Sequence, residues 1–545
     1  MTRRILVAVA WPYASGSRHL GHFAGAYLPP DIFARYHRLV GNEVLMVSGS
    51  DSNGTPITIR ADQEGVTPRE IVDRYHPEFL RYWEELGIVF DLFTTTLTEN
   101  HHRVTQDFFL TLLENGYIVK GTSNQFYDPE SERFLPDRYV EGTCPHCGYK
   151  EARGDQCDNC GRTLDPTDLI DPRSKLSGAT PIEKETEHFF LDLPALAPRL
   201  KEWLEGRTSW RKHVRNWAIG LTEDMPKRSI TRDLDWGVDL PVDDLGPGKK
   251  IYVWFDAVIG YLSASIEWAS LTGDPEAWKK WWQDPSAESY YFVGKDNIPF
   301  HAVIWPAMLI GHGGLNLPTE LPANQYLTFK GDKASASRGI GRSIAWYAER
   351  IQPDAIRYAI ASVLPEQNDT DFSDEELIRR VNEELVATWG NLVNRVLSMS
   401  DGNFEGQVPN PGELTEEDRE IVELGARTLD EVGRRIEAVE LKAGLRTGME
   451  AAAQVNAYLN ATEPWHVVKN DTMRGGTILW AAIQAIAAIR VALYPYLPFS
   501  AGRIGEMLGT GPQIDAWVTP TVPGGTALGP VEPLFTKLEP EVLED

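Results

Sequence analysis

The N-terminal segment up to His22 constrains the fold more than any other stretch of the chain. Its apolar run from Ile5 to Ala10 is typical of a buried parallel strand, and a turn containing Pro and Gly ends the run. His19, Gly21 and His22 follow where a helix should begin. Helix N-termini attract phosphate, glycine allows close approach to the backbone, and imidazoles donate to phosphoryl oxygens. The segment predicts an ATP site without a Gly-rich P-loop, the alternative being a plain strand, turn and two surface histidines.

A second candidate segment lies far along the chain, at residues 329–339. It is rich in Gly, Ser and Lys, so its backbone N–H groups, hydroxyls and ammonium groups could wrap anionic oxygens. Its candidate ATP ligands are Lys333, Ser335, Ser337 and Arg338. Such loops, taken singly, are common surface linkers. Together, the HLGH turn and the distant K-x-S-x-S-R loop resemble the two nucleotide signatures of class I aminoacyl-tRNA synthetases.

Composition favours a large cytoplasmic enzyme with several domains. The chain has 545 residues, of which 42% are hydrophobic and 24% charged, which is too long for a single core. A formal net charge of −26 argues against a general nucleic-acid binder, so any RNA contact should be local. The longest apolar stretch, Ile478 to Leu497, is interrupted by Gln484, Arg490 and Pro495. It therefore predicts the core of a helix bundle rather than a membrane span.

All four cysteines fall in one short segment with the spacing C-x2-C-x9-C-x2-C. Four thiolates at this spacing suit a closed tetrahedral Zn²⁺ site, and disulfides would be unexpected without export. The predicted ligands are Cys144, Cys147, Cys157 and Cys160. A site filled by four sulfurs should be structural, although His146 could replace one cysteine.

Several further segments make the resemblance more specific, because the chain is similar to methionyl-tRNA synthetases along nearly its whole length. The matching segments include the cysteine segment, the HLGH turn and the following stretches: Trp11–Tyr13, Asp51–Ile57, Phe134–Arg138, Tyr252–Tyr261, Gly294–His301 and Asn391–Arg395.

This resemblance implies an α/β fold: a Rossmann-like class I synthetase catalytic domain with an inserted zinc-knuckle connective domain, followed by an all-α anticodon-binding bundle. The expected regions are the first catalytic half (1–116), the connective insertion (117–234), the second catalytic half (235–325), a stem-contact region with the KASAS loop (326–372), and a helical anticodon-binding domain with a C-terminal strap (373–545). The insertion is too short for a large editing domain, which favours a distinctive amino-acid side chain. We expect a monomer, with residues 540–545 mobile.

The resemblance also implies an amino-acid pocket. Asp51 would bind the α-amino group, and Arg232 would reach the carboxylate side. A thioether is polarisable and packs well against aromatic rings, which agrees with the pocket's composition. The implied methionine-binding residues are Tyr13, Asp51, Arg232, Trp254, Ala257, Tyr261 and His301.

Catalysis implied by the resemblance needs no covalent enzyme intermediate. L-methionine would attack the α-phosphate of ATP to give methionyl-adenylate, and the 3′ end of tRNA(Met) would then accept the acyl group. His19, His22 and Lys333 would act on the phosphates together with Mg²⁺, whose protein ligands the sequence does not reveal.

The C-terminal third predicts a helix bundle that reads RNA. Ser373 and Glu376 form a capping-box signal before a run of helical periodicity. Asn391 and Arg395 are four residues apart, hence on one helix face, and with Trp465 they match the family's anticodon residues. An aromatic ring can stack on a splayed base while Asn and Arg read its edges, although Trp465 could instead merely join two helices.

Two departures from the family pattern keep other functions open. Ala336 stands where a second lysine is usual, so activity could be slow unless Lys330, Arg338 or Arg342 supplies the charge. Ser52-Asn53 stands where relatives often have an acid and a histidine. The alternatives to a methionine–tRNA ligase are a paralogue that passes activated methionine, or an analogue, to a non-tRNA acceptor, and a catalytically weak tRNA-binding descendant.

Overall fold

The computed structural model describes residues 2–329, 332–333 and 342–544, without the side chains of Asp137, Asp332 and Lys333. Part of the predicted KASAS loop therefore lies outside the described residues. This applies to the whole of Lys330, Ser335, Ala336, Ser337 and Arg338 and to the side chain of Lys333.

A five-stranded parallel sheet forms the centre of the catalytic part. Its strands are β1 (Arg4–Val9), β2 (Glu43–Ser50), β3 (Leu92–Thr95), β4 (Glu288–Gly294) and β5 (Ala323–Asn324), in the spatial order β5-β4-β1-β2-β3. The predicted apolar strand becomes β1 and is covered on both faces, because parallel sheets are packed between helices. The sheet unites strands that precede and follow the insertion, as a Rossmann-like class I domain requires.

Helices cover this sheet and extend from its strand ends. They are Leu20–His22, Leu28–Leu39, Thr55–Glu64, Pro68–Glu85, Glu99–Glu114, Val253–Leu271, Lys279–Trp282 and Trp305–His312, with π-helical turns at Phe23–Tyr27 and Pro299–Ile304.

The insertion is built mainly from antiparallel strands. Ile118–Asp128 pairs with Ile182–Leu191, flanked by Arg133–Phe134 and Arg228–Ser229. A smaller sheet beside the cysteines contains Ala152–Arg153, Val140–Thr143 and Ile170–Ser174. Helices Leu193–Glu205 and Lys212–Leu221 and the hairpin Thr231–Asp233 and Lys249–Ile251 return the chain to the catalytic part. The boundaries of the five regions remain predictions.

A third small sheet and a helix bundle complete the structure. The sheet contains Leu327–Phe329, Asp332–Lys333 and Thr370–Phe372. One of the two hydrogen bonds of the predicted capping box is confirmed, because the Ser373 hydroxyl accepts from the Glu376 N–H at 3.2 Å. The helices after the loop are Ile344–Ala348, Pro353–Ala361, Asp374–Arg379, Asn391–Asn403, Glu416–Glu437, Leu441–Thr462, Pro464–Asn470, Thr472–Leu493 and Pro498–Met507, with a π-helical segment at Arg380–Gly390.

The most apolar helix, Thr472–Leu493, is the core of this bundle. Among the described residues it alone is long and apolar enough to cross a membrane, and 94% of its most apolar window is buried inside the protein. The prediction of a bundle core from its interrupted apolar sequence is confirmed.

The C-terminal strap returns over the body of the protein. The Trp517 N–H donates to the Leu39 carbonyl at 3.0 Å, and Leu538 exchanges two hydrogen bonds with the Asn382 side chain at 2.7 and 2.8 Å. Within the segment 540–545, which was expected to be mobile, Pro540–Leu543 forms a short helical turn with Leu543 only 4% exposed. Burial of this leucine anchors the end of the strap.

Candidate active site

The HLGH motif forms the predicted helix N-terminus at the carboxyl end of β1. The Gly21 N–H donates to Nδ1 of His19 at 3.1 Å, and the His19 N–H donates to Nδ1 of His22 at 3.3 Å. The two imidazoles therefore cap the first turn, with ring centroids 3.8 Å apart. A π-helical turn follows directly, a local irregularity that often marks functional sites.

The chain after the KASAS loop returns to this motif. The Ile344 N–H donates to the Arg18 carbonyl at 2.8 Å, and Ser343 forms a β-bridge with His19. Both histidines line one cavity of about 740 Å³ together with Tyr326 and Leu327, which lie just before the loop. Residues that flank the second nucleotide signature thus lie at the same cavity as the first signature.

Most residues of the predicted amino-acid pocket line the same cavity. The helix Val253–Leu271 supplies Trp254, Ala257 and Tyr261, which are spaced three and four residues apart and therefore share one helix face. The predicted residues that line the cavity are Tyr13, His19, Gly21, His22, Asp51, Trp254, Ala257, Tyr261 and His301.

A buried hydrogen bond fixes the inner end of the pocket. The Tyr261 hydroxyl lies 2.7 Å from Nε2 of His301, whose Nδ1 lies 3.0 Å from the Asn297 carbonyl. Because a carbonyl can only accept, we assign the imidazole proton to Nδ1 and the Tyr261 hydroxyl as donor to Nε2. Burial lowers the pKa of His301 to about 4, so the ring is neutral at neutral pH.

Aromatic packing positions the mouth of the pocket. The Trp254 indole stacks on Phe300 with ring centroids 3.7 Å apart and meets Tyr13 edge-on at 6.2 Å. A Cβ on Gly54 would lie 2.7 Å from Cδ1 of Tyr13, so this position requires glycine for the ring to occupy its place. Trp254 is half-buried, which leaves part of its surface for a ligand.

Asp51 presents a carboxylate to the cavity at the carboxyl end of β2. Its backbone N–H donates to the Pro12 carbonyl at 2.8 Å, which joins the ends of the two neighbouring strands. The side chain is 3% exposed, and its Oδ1 has no hydrogen-bond partner among the described residues. Burial raises the pKa of this carboxyl well above its usual range, as does the neighbouring charge of Asp256.

Arg232 is the predicted pocket residue that the structure does not bring to the cavity lining. Its Nη1 donates to the Ser229 and Thr231 carbonyls at 3.1 and 2.9 Å, and its guanidinium lies 4.0 Å from the centroid of the Tyr252 ring. The side chain is 7% exposed and donates to carbonyls of its own chain segment. Its role beside a substrate carboxylate remains a prediction.

Sequence reasoning assigned no role to Trp11 or to the insertion residues that line the cavity. Trp11 lies in a slot between Gly49 and Gly260, where a Cβ at either position would overlap its indole. Trp11 and Arg138 both belong to segments that match the family, and this match could have identified them as candidate site residues. The insertion supplies a charged wall, including Arg138, Arg153, Asp158, Arg173 and Lys175, with the neutral Gln156 among them.

The Ser52-Asn53 departure serves a buried network behind the cavity. The Ser52 N–H donates to the Thr96 hydroxyl at 2.9 Å, and the Asn53 amide donates to Asp256 at 2.8 Å.

Arg342, a candidate source of the charge that Ala336 lacks, donates to Asp374 at 3.1 Å, and its guanidinium lies 3.8 Å from the centroid of the Trp346 ring.

The four cysteines form a compact cluster, with all four sulfurs within 4.8 Å of one another. The Cys144–Cys160 and Cys147–Cys157 sulfur pairs lie 4.0 and 3.6 Å apart. This donor set fits a tetrahedral metal ion. His146 is exposed and its Nδ1 lies 3.2 Å from Arg162, so it is not a member of the cluster.

The predicted anticodon residues come from two separate helices. The Arg395 guanidinium lies 5.2 Å from the centroid of the Trp465 ring, and Asn391 is exposed one turn before Arg395. Trp465 also packs against the bundle core, so it joins helices while keeping part of its ring accessible.

Comparison with known proteins agrees with this architecture. Residues 5–397 match the model of class I tRNA synthetases (M), and residues 408–545 match the anticodon binding domain of methionyl tRNA ligase. The chain is 51% identical to a methionine–tRNA ligase of Roseiflexus castenholzii and 47% identical to one of Corynebacterium jeikeium, covering 100% of this chain and 98% of each relative. The solved Mycobacterium tuberculosis methionyl-tRNA synthetase in complex with methionyl-adenylate has a TM-score of 0.81 and 26% identity, covering 98% of this chain and 100% of that one. The chain belongs to the methionyl-tRNA synthetase family of class I tRNA synthetases.

Proposed function

We propose that this protein is a methionine–tRNA ligase, which activates L-methionine with ATP and transfers it to the 3′ end of tRNA(Met). The observation that carries this proposal is the single cavity where the HLGH turn, the residues flanking the KASAS loop and the aromatic pocket meet. Relatives that match the whole chain are methionine–tRNA ligases, which favours this function over the two alternatives.

The amino acid would bind with its thioether among Tyr13, Trp254 and Tyr261. Aromatic edges attract a polarisable sulfur, and Ala257 leaves room for the unbranched side chain. The Asp51 carboxylate would accept the α-ammonium group through charge-assisted hydrogen bonds.

Adenylate formation would depend on positioning and charge stabilisation. His19 and His22 stand at a helix N-terminus, where developing negative charge on phosphate is favoured. Lys333, together with Ser335, Ser337 and Arg338, would approach the phosphates from the loop. Mg²⁺ would enter with ATP and neutralise phosphate charge.

We propose that Zn²⁺ is held by Cys144, Cys147, Cys157 and Cys160 in a structural role. Burial raises the pKa of the Cys157 thiol to about 12, and a bound divalent cation would offset this by favouring the thiolate. The ion would link the cysteine-bearing loops to one another, and these loops carry the charged wall of the cavity.

In the helical domain, Asn391, Arg395 and Trp465 would contact the anticodon. The partners are therefore ATP, L-methionine and tRNA(Met), and we expect a cytoplasmic monomer.

Methionine-dependent ATP–pyrophosphate exchange, measured beside charging of tRNA(Met), tests the proposal. Both activities are expected in the native protein, and exchange without charging would support a non-tRNA acceptor instead. Lys333→Ala should lower exchange by about 10²–10³-fold, in line with the loss of one preorganised charge. Lys280→Ala, at an exposed position away from the cavity, is the matched control. Unchanged exchange in Lys333→Ala would refute the role of the loop.

A further inference from the structure

Two buried carboxylates, one lining the amino-acid pocket and one just behind it, form no ion pair with a Lys or Arg side chain among the described residues. Asp51 and Asp256 are 3% and 0% exposed, and Oδ1 of each has no hydrogen-bond partner among the described residues. Among the described residues, the basic group within ion-pair range of these acids is His101, whose Nε2 lies 3.9 Å from Oδ2 of Asp256. Buried carboxylates are normally paired, because desolvation of an isolated charge is costly.

Asn53 connects these two acids. Its Nδ2 donates to Oδ2 of Asp256 at 2.8 Å and to the Thr96 carbonyl at 3.3 Å. Its backbone N–H lowers the pKa of the Asp51 carboxyl, so one residue stands beside both acids. Asp256 lies in the first turn of the helix Val253–Leu271, whose next residue, Ala257, lines the cavity.

The surroundings oppose two negative charges in the empty pocket. Burial raises the pKa of Asp256 to about 8, against hydrogen bonds from Asn53 and the Ala257 N–H. Burial and the charge of Asp256 raise the pKa of Asp51, which the more distant Arg138 and the N–H groups of Asn53 and Gly54 lower. Burial lowers the pKa of His101 to about 3, so it is neutral and supplies no compensating charge.

We propose that Asp256 is a positioning residue of the ammonium subsite: with Asp51 it holds one shared proton in the ligand-free pocket, and binding of a primary ammonium beside Asp51 releases that proton to solvent. The inference rests on the proposed function, in which Asp51 binds the methionine α-ammonium. The bound cation makes the doubly ionised pair favourable, since it replaces the charge that the proton supplied. The Asn53 amide remains on Asp256 and keeps Asp51 aimed at the cavity.

Isothermal titration calorimetry with L-methionine, in buffers of different ionisation enthalpy near pH 7, measures the released proton directly. The native protein should release close to one proton per methionine bound. Its methionine affinity should rise by about tenfold per pH unit below the pKa of the pair. Asp256→Asn keeps the shape of the side chain but removes the second acid, so it should bind methionine with less proton release and a shallower pH dependence than the native protein.

Two ligand probes separate the ammonium from the rest of methionine. Methioninol, which keeps the ammonium and lacks the carboxylate, should release the proton, and 4-(methylthio)butanoic acid, which lacks the amine, should not. These probes keep the test decisive on the native protein even if Asp256→Asn does not fold. As a control, Asp354→Asn removes another buried carboxyl, 3% exposed and outside the cavity lining, and should match the native release.

Methionine binding by the native protein without proton release would overturn this inference and leave the proposed function standing. Equal release from Asp256→Asn and the native protein would also overturn it. Absence of methionine binding by the folded native protein would overturn both.

Discussion

Substitution of Gly260 by alanine tests whether the Trp11 slot positions the amino-acid pocket. In the helix Val253–Leu271, a Cβ at residue 260 would lie 2.8 Å from Cε2 and 2.9 Å from Cζ2 of Trp11. Ordinary carbon contacts lie at about 3.5–4.0 Å, so the indole must move by about 0.6–1.2 Å. Gly49 closes the opposite side of the slot, because a Cβ there would also overlap the ring. The indole can therefore retreat only into the cavity that it lines.

The energetic consequence follows from two opposing contributions. Overpacking of a buried site costs about 1–3 kcal/mol, whereas Gly→Ala inside a helix contributes about 0.5–1 kcal/mol of stability. The free energy of unfolding should therefore fall by about 0.5–2 kcal/mol. Displacement of Trp11 toward the ligand should also raise KM for methionine more than KM for ATP.

Urea unfolding and methionine-dependent pyrophosphate exchange check both effects. Gly402→Ala is the matched control, because Gly402 lies in the helix Asn391–Asn403 with nothing within 4 Å of its added Cβ. This control should gain about 0.5–1 kcal/mol from helix propensity, so the two variants are expected to differ in sign. A Gly260→Ala protein as stable as the control, with native KM for methionine, would refute the reasoning.

Four further predictions concern other parts of the molecule. Tyr261→Phe leaves Nε2 of His301 without its donor, so the free energy of unfolding should fall by about 1–3 kcal/mol in urea titrations and KM for methionine should rise. His146→Ala should retain the native zinc content by elemental analysis, whereas a chelator should lower the melting temperature of both proteins equally. Burial raises the pKa of Asp418, but hydrogen bonds from Arg474 and Tyr458 bring it down to about 2, below the usual value for an aspartate. The stability that this carboxylate contributes should therefore be complete above about pH 4 and be lost as the pH falls through 2. The melting temperatures of the native protein and of Asp418→Asn should converge at that low pH. Trp465→Ala should weaken tRNA binding by about 1–3 kcal/mol, seen as a larger rise in KM for tRNA than for methionine.

Local patterns in the sequence determined the motifs and their secondary structure. The apolar run became β1, the HLGH residues capped the next helix, Ser373 began a helix, and the cysteine spacing predicted the sulfur cluster. These features depend on residues that are close in sequence. Backbone hydrogen bonding and side-chain periodicity directly limit the conformations that such residues adopt.

Contacts between distant residues were decided only by the tertiary structure. The Trp11 slot needs glycines from a strand and a helix far apart in sequence, and Asp256 acquires its role through Asn53 across the pocket. The contacts of Arg232 with the Ser229 and Thr231 carbonyls likewise became visible only in the structure. Packing density and burial decide these contacts between distant residues, because the exclusion of water determines which side chains touch and which charges remain unpaired. The periodicity of a sequence does not contain this information.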